Sequence, residues 1–115
     1  MSKLTIDEML ERQSKLQKVM FGYELPNDLI EDFKYSVLGL IGELGEVLDA
    51  DSRWKNVRIK GYDSNAKLDE LVDCMAFLLN MILFSGYTSE EFANAFIAKN
   101  KKNFERVGSK YDSNC

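Results

Sequence analysis

Between Ile30 and Leu48 the apolar residues Ile30, Phe33, Val37, Leu40, Ile41, Leu44 and Leu48 recur at the three- and four-residue steps of an α-helix. The pattern commits about five turns of chain to one amphipathic rod, whose apolar stripe must be covered by other elements. Asn27 or Asp28 stands where such a helix would be capped. Three more segments share the period. Thr5-Ile-Asp-Glu8 has the form of a capping box, and Leu10, Leu16, Met20 and Phe21 follow at helical spacing until Gly22 and Pro26 break the pattern. Asp63 or Ser64 can cap a helix from Ala66 to Phe84, with Leu68, Leu71, Val72, Met75, Leu78, Leu79 and Ile82 on its core face. Thr88-Ser-Glu-Glu91 is a second capping box. It opens a helix through Phe92, Phe96 and Ile97 to about Arg106, ending near Gly108, with 109–115 as a frayed tail. No segment alternates with period two, so the expected fold is all-α: one domain over 1–115, a four-helix bundle-like protomer.

Gly39, Gly42 and Gly45 lie inside the second helical segment. Each costs about 1 kcal/mol relative to Ala, so they are expected where another helix or a ligand comes close to the backbone. Ser52 to Asn65 is polar and basic and contains Gly61, which reads as a loop longer than compact domains usually carry.

The chain contains no histidine. That excludes a Ser-His-Asp or Cys-His nucleophile, a histidine general base and a histidine-bearing zinc site. Cys74 and Cys115 form no Cys-x-x-Cys pair and point to a reducing, cytoplasmic compartment. The N-terminal MSKLTIDEMLERQSK intersperses charge with apolar residues and reads as no targeting segment, and the longest apolar run falls well short of the roughly 20 residues of a membrane span. Net charge is −4, against general affinity for nucleic acid. Basic residues nevertheless cluster at Arg53, Lys55, Arg58 and Lys60 and again from Lys99 to Lys110, which fits an anionic ligand smaller than a duplex.

The carboxylates break the bundle pattern. Glu43 and Glu46 sit within the apolar run of the second helix, and Glu70 and Asp73 within that of the third, each pair at i, i+3. Such residues share a helix face with Cβ atoms about 5–6 Å apart, near enough for both to hold one cation. Without a cation the pairs repel. If the two helices form an antiparallel hairpin, all four carboxylates can meet in an oxygen-only site, which suits Mg²⁺ or Mn²⁺ better than zinc or copper. The alternative is that each pair is solvated and matched by Lys or Arg.

This arrangement resembles the all-α nucleoside triphosphate pyrophosphohydrolases, the MazG-like proteins and dimeric dUTPases. Their Glu-x-x-Glu and Glu-x-x-Asp elements are matched by Glu43-Leu-Gly-Glu46 and Glu70-Leu-Val-Asp73. Arg53-Trp54-Lys55 stands at the offset of a Phe-Lys element of the dimeric dUTPases, with Trp for Phe. Lys99, Asn103, Arg106 and Tyr111 match their closing Lys-x-x-x-Asn-x-x-Arg element and its Tyr. Gln13 with Leu16, and Asn80 seven residues after Asp73, extend the likeness over nearly the whole chain. The sequence departs where Val57 and its neighbours lack a following aromatic and where Gly42 replaces an additional Glu of many MazG sequences.

The resemblance implies Mg²⁺, or Mn²⁺, held by Glu43, Glu46, Glu70 and Asp73, and hydrolysis of a nucleoside triphosphate between its α and β phosphates. Glu43 or Glu46 would activate the water. Lys55, Lys99 and Arg106 would clamp phosphates, with Arg53, Arg58 and Lys102 as lesser candidates. Trp54 would stack on a base, and Gln13, Asn80 and Asn103 would offer hydrogen bonds to base or sugar. Exposed apolar positions such as Phe92, Phe96, Ile97 and Tyr87 favour a homodimer or homotetramer, as the family also does. The competing expectation is a non-catalytic helical interaction or nucleotide-binding module.

Overall fold

The computed structural model describes residues 3–111. Four helices account for most of them: α1 (Ile6–Phe21), α2 (Ile30–Ala50), α3 (Ser64–Phe84) and α4 (Ser89–Tyr111). A short 3-10 turn occupies Ser52–Trp54, and the described residues contain no strand.

The helix ends follow the sequence signals at most places. Thr5 and Glu8 close the expected capping box, and Gly22 ends α1 in the left-handed region at φ 79°. Asp63 caps α3 by accepting from the amides of Asn65 and Ala66, so that helix starts at Ser64 rather than Ala66. Thr88 and Glu91 exchange hydrogen bonds at the head of α4. Two ends differ. Neither Asn27 nor Asp28 caps α2, whose N-cap is Leu29 without a side-chain bond. That stretch pairs instead with the end of α3: the Asn27 N–H donates to Leu83 O at 2.9 Å and the Leu29 N–H to Phe84 O at 2.8 Å. Helix α4 runs past Gly108 to Tyr111, because a single glycine costs about 1 kcal/mol and does not by itself end a helix. Of the expected frayed tail, residues 112–115 lie outside the described residues.

Helices α2 and α3 form an antiparallel hairpin. Gly39 lies against Phe77 near the middle of the pair, Leu29 bonds to Phe84 at one end, and Ala50 O accepts from the Asp63 N–H at the other. The register depends on Gly39, since a Cβ there would lie 2.3 Å from the Phe77 ring. The expected close approach therefore holds for Gly39. It does not hold within the protomer for Gly42 or Gly45, where a Cβ would meet nothing within 4 Å.

A loop of polar bonds closes the hairpin. The Asp51 carboxylate accepts from Arg53 Nε at 2.8 Å and from Lys67 Nζ at 2.9 Å. These two cations hold its pKa well below the usual carboxylate range. Buried Ser52 ties the two ends of the loop, donating from Oγ to Gly61 O and accepting from the Lys60 N–H. The long connection is thus an ordered lobe rather than a free linker.

The hydrophobic core sits at one end only. Leu10, Leu79, Ile82 and Leu83 are buried together, with Ile6, Met9, Leu25 and Phe92 packed around them. Leu79 and Ile82 are covered as expected, but Leu68, Leu71, Val72, Met75 and Leu78 of the same α3 face are exposed. On α2, Ile30, Ile41, Leu44 and Leu48 are exposed as well. The cause is the path of α4. Only its first turn joins the core, through Phe92, and every residue from Asn94 to Val107 is exposed. The radius of gyration is 17.6 Å, against about 13 Å for a compact chain of this length. The protomer is an open arrangement, not a closed bundle.

The glycine contacts give a direct test. Gly39→Ala is expected to lower stability by about 1–3 kcal/mol through overpacking against Phe77, whereas Gly42→Ala should gain about 1 kcal/mol of helix propensity. Urea titrations of both variants measure the two signs, and a Gly42→Ala variant that loses stability would place another chain against that backbone.

Candidate metal centre and adjoining cavity

The antiparallel register brings carboxylates of α2 and α3 face to face. Glu43, Glu70 and Asp73 each offer an oxygen, and the three oxygens lie within 4.8 Å of one another. Glu43 and Glu70 are half-buried and Asp73 is exposed. Glu46, expected as a fourth member, is exposed one turn further along α2 and stands outside this trio.

No Lys or Arg among the described residues forms an ion pair with Glu43, Glu46, Glu70 or Asp73. The bases nearest in sequence are committed elsewhere, Lys67 and Arg53 both to Asp51. The electrostatic consequence is visible in the titrating groups. Burial pushes the Glu70 carboxyl up, and its hydrogen bond with Glu43 and the charges of Glu43, Asp73 and Asp69 push it further. Burial also raises the Cys74 thiol, helped by Glu43, Asp73 and Glu70. Three carboxylate oxygens this close together, with no Lys or Arg paired to them, are donors of the kind a hard divalent cation takes.

Glu43 and Asp73 also line a cavity of about 580 Å³ between α1, α2 and α3. Its other walls include Gln13 and Gln17 of α1, Tyr35 of α2, and Phe77 and Asn80 of α3. Gln17 and Asn80 are 5% and 7% exposed. Asn80 Oδ1 accepts from Gln13 Nε2 at 2.9 Å and from Gln17 Nε2 at 3.3 Å. At the far end Tyr23 donates its hydroxyl to Asp32 Oδ1 at 2.6 Å. This bond, with burial and the Asp32 charge, raises the Tyr23 pKa.

The remaining expected site residues lie apart from the cavity walls. Trp54 is 58% exposed and donates from Nε1 to Leu48 O, so its ring is fastened to the end of α2. Lys55 Nζ lies 5.6 Å from that ring, and Arg53 stacks at 3.6 Å on Tyr62. Lys99, Asn103 and Arg106 are exposed on the projecting part of α4, where Arg106 Nη2 donates to Asn103 Oδ1. The loop and α4 thus hold these basic residues apart from the cavity walls. Sequence reasoning missed Gln17, Tyr23, Asp32 and Tyr35. Gln17 was recoverable, because it follows Gln13 by four residues and must share its face; the aromatic and acidic wall carried no spacing signal.

Comparison of the chain with protein-family profiles, with curated proteins and with solved structures finds no match. The site therefore rests on its own geometry.

Glu70 carries a signed prediction. Its folded pKa lies above the unfolded value, so its contribution to stability is full below the unfolded pKa and is lost as pH rises through the raised folded value. Without divalent cation, Glu70→Gln should therefore raise the melting temperature at pH 7 and flatten the pH dependence above pH 5. Thermal melts in EDTA across pH 5–8 measure both effects; a lowered melting temperature at pH 7 would mean that Glu70 is not repelled.

Proposed function

We propose that the chain is a Mg²⁺-dependent nucleoside triphosphate pyrophosphohydrolase, with Mn²⁺ able to substitute, releasing a nucleoside monophosphate and pyrophosphate. The observation that carries this reading is the uncompensated trio Glu43, Glu70 and Asp73 beside a cavity within the size range of small-molecule sites. A divalent ion held by these oxygens would draw charge from the phosphoryl oxygens and align the triphosphate. Glu43, Glu70 and Asp73 serve as its ligands. Glu46, exposed and outside the trio, is the carboxylate left to orient or deprotonate the attacking water.

Lys55, Lys99 and Arg106 supply cationic donors for the phosphates. Because α4 carries Lys99, Asn103 and Arg106 away from the protomer's core, in this reading they act on substrate at a neighbouring subunit. The exposed apolar faces of α2 and α3 support a homodimer or homotetramer, in which these stripes cover one another. A role in clearing dUTP, dCTP or a noncanonical nucleotide from the pool follows from the reaction. The same open faces favour a second reading, a helical interaction or nucleotide-binding module without catalysis.

Millimolar Mg²⁺ with a nonhydrolysable nucleoside triphosphate should raise the melting temperature, by an amount equivalent to about 2.7 kcal/mol at a hundredfold excess over Kd. Glu46→Gln and Glu70→Gln should abolish pyrophosphate release while the helical circular dichroism survives. Retained turnover in both variants would remove the carboxylates from the mechanism, and ligand binding without turnover in the wild type would favour the module. Light scattering at micromolar concentration should show an oligomer; a monomer there would refute the shared site.

A further inference from the structure

The cavity's three amides form a closed set with an unusual freedom. Asn80 Oδ1 is filled, since it accepts from both Gln13 Nε2 and Gln17 Nε2 and an amide oxygen has two lone pairs. Asn80 Nδ2, Gln13 Oε1 and Gln17 Oε1 bond to no described residue. Among the described residues, no buried side-chain nitrogen or oxygen lacks a partner. The unbonded atoms of this largely buried set are therefore accessible, and all three residues line the cavity.

Turning all three amides by half a rotation exchanges every donor and acceptor. Asn80 Nδ2 would then donate its two hydrogens to the two glutamine oxygens, and Asn80 Oδ1 would face the cavity. Both arrangements satisfy the same contacts, and no fourth partner pins either one. In the first the cavity meets an Asn80 N–H, in the second an Asn80 carbonyl.

These two faces match two nucleobase edges. A 4-amino pyrimidine such as cytosine presents an unprotonated ring nitrogen, which the Asn80 N–H satisfies. A 4-oxo pyrimidine such as uracil presents a ring N–H, which the Asn80 carbonyl satisfies. We propose that Gln13, Gln17 and Asn80 form an invertible reader for the base edge, through which the site accepts both 4-amino and 4-oxo pyrimidine nucleotides. Gln17 acts as a positioning residue that holds Asn80 in either state. The inference rests on the nucleotide reading of the cavity, but it does not depend on hydrolysis.

Calorimetric titration of the full chain with dCMP and dUMP in Mg²⁺ at pH 8 tests the reader. The wild type should bind both, with dissociation constants within about tenfold of each other, since neither edge leaves a buried group unmatched. Asn80→Asp supplies acceptors only: both glutamines keep donating to it, and the cavity meets an oxygen in every state, so it should weaken dCMP relative to dUMP by about tenfold or more, a factor of ten corresponding to 1.4 kcal/mol. Gln17→Met, nearly isosteric and apolar, should weaken both nucleotides while the Mg²⁺-induced rise in melting temperature remains; it also tests the reader should Asn80→Asp fail to fold. Equal losses for dCMP and dUMP in Asn80→Asp, a wild type that binds neither, or unchanged binding in Gln17→Met would overturn the proposal. Discriminating binding without pyrophosphate release would leave the reader standing and remove the hydrolase.

Discussion

Three negative groups held together by an apolar seam govern this structure. Glu43, Glu70 and Asp73 converge because α2 and α3 pack in antiparallel register around the contact of Gly39 with Phe77. The apolar packing of the hairpin imposes the convergence; the charges oppose it. Arg53 and Lys67, the bases nearest to them in sequence, are paired with Asp51, which anchors the connecting lobe. One carboxylate therefore consumes the local positive charge for structure and leaves the other three to be neutralised from outside.

The starts of α1, α3 and α4 were legible because each carries its own punctuation. Thr5 with Glu8, Asp63, and Thr88 with Glu91 act through bonds within three residues, so sequence suffices to place them. Asn27 and Asp28 misled for the opposite reason: the backbone on either side of Asp28, at Asn27 and Leu29, donates to Leu83 O and Phe84 O, a contact more than fifty residues away that no local rule contains. The carboxylate pairs were legible as pairs, since i, i+3 spacing fixes a shared face. Which of the four reaches the seam was not, because rotation of α2 against α3 is set by the fit of Phe77 over Gly39. The site's amides divide similarly. Asn80 stood out as a polar break in an apolar run, while Gln17 was hidden among the polar residues of an amphipathic helix.

The apolar stripes tell where periodicity stops being informative. Leu68, Leu71, Val72 and Met75 have the same spacing as Leu79 and Ile82, yet the former are open and the latter closed. Periodicity states that a face must be covered and is silent about what covers it. Within the protomer α1 and the first turn of α4 cover the upper half, and nothing described covers the lower. Gly42 and Gly45 give the same message, since glycines are unfavourable in a helix whose neighbouring space is open. An assembly that closes the α2–α3 face would account for both observations at once.

The cavity joins two chemistries along a single stripe of α3. Asp73 and Asn80 lie seven residues apart, about two helical turns or roughly 10 Å along the axis, and Ala76 and Phe77 between them also face the cavity. One end is acidic and open to water; the other is amide-lined and buried. A ligand that satisfies both ends must carry a cation-binding anionic group and, some 10 Å away, a planar edge able to exchange hydrogen bonds. Neither a free phosphate nor an apolar heterocycle meets both conditions. The nucleotide of the proposed function meets both, and the stiffness of the helix holds the two requirements at a fixed separation whatever the loops around them do.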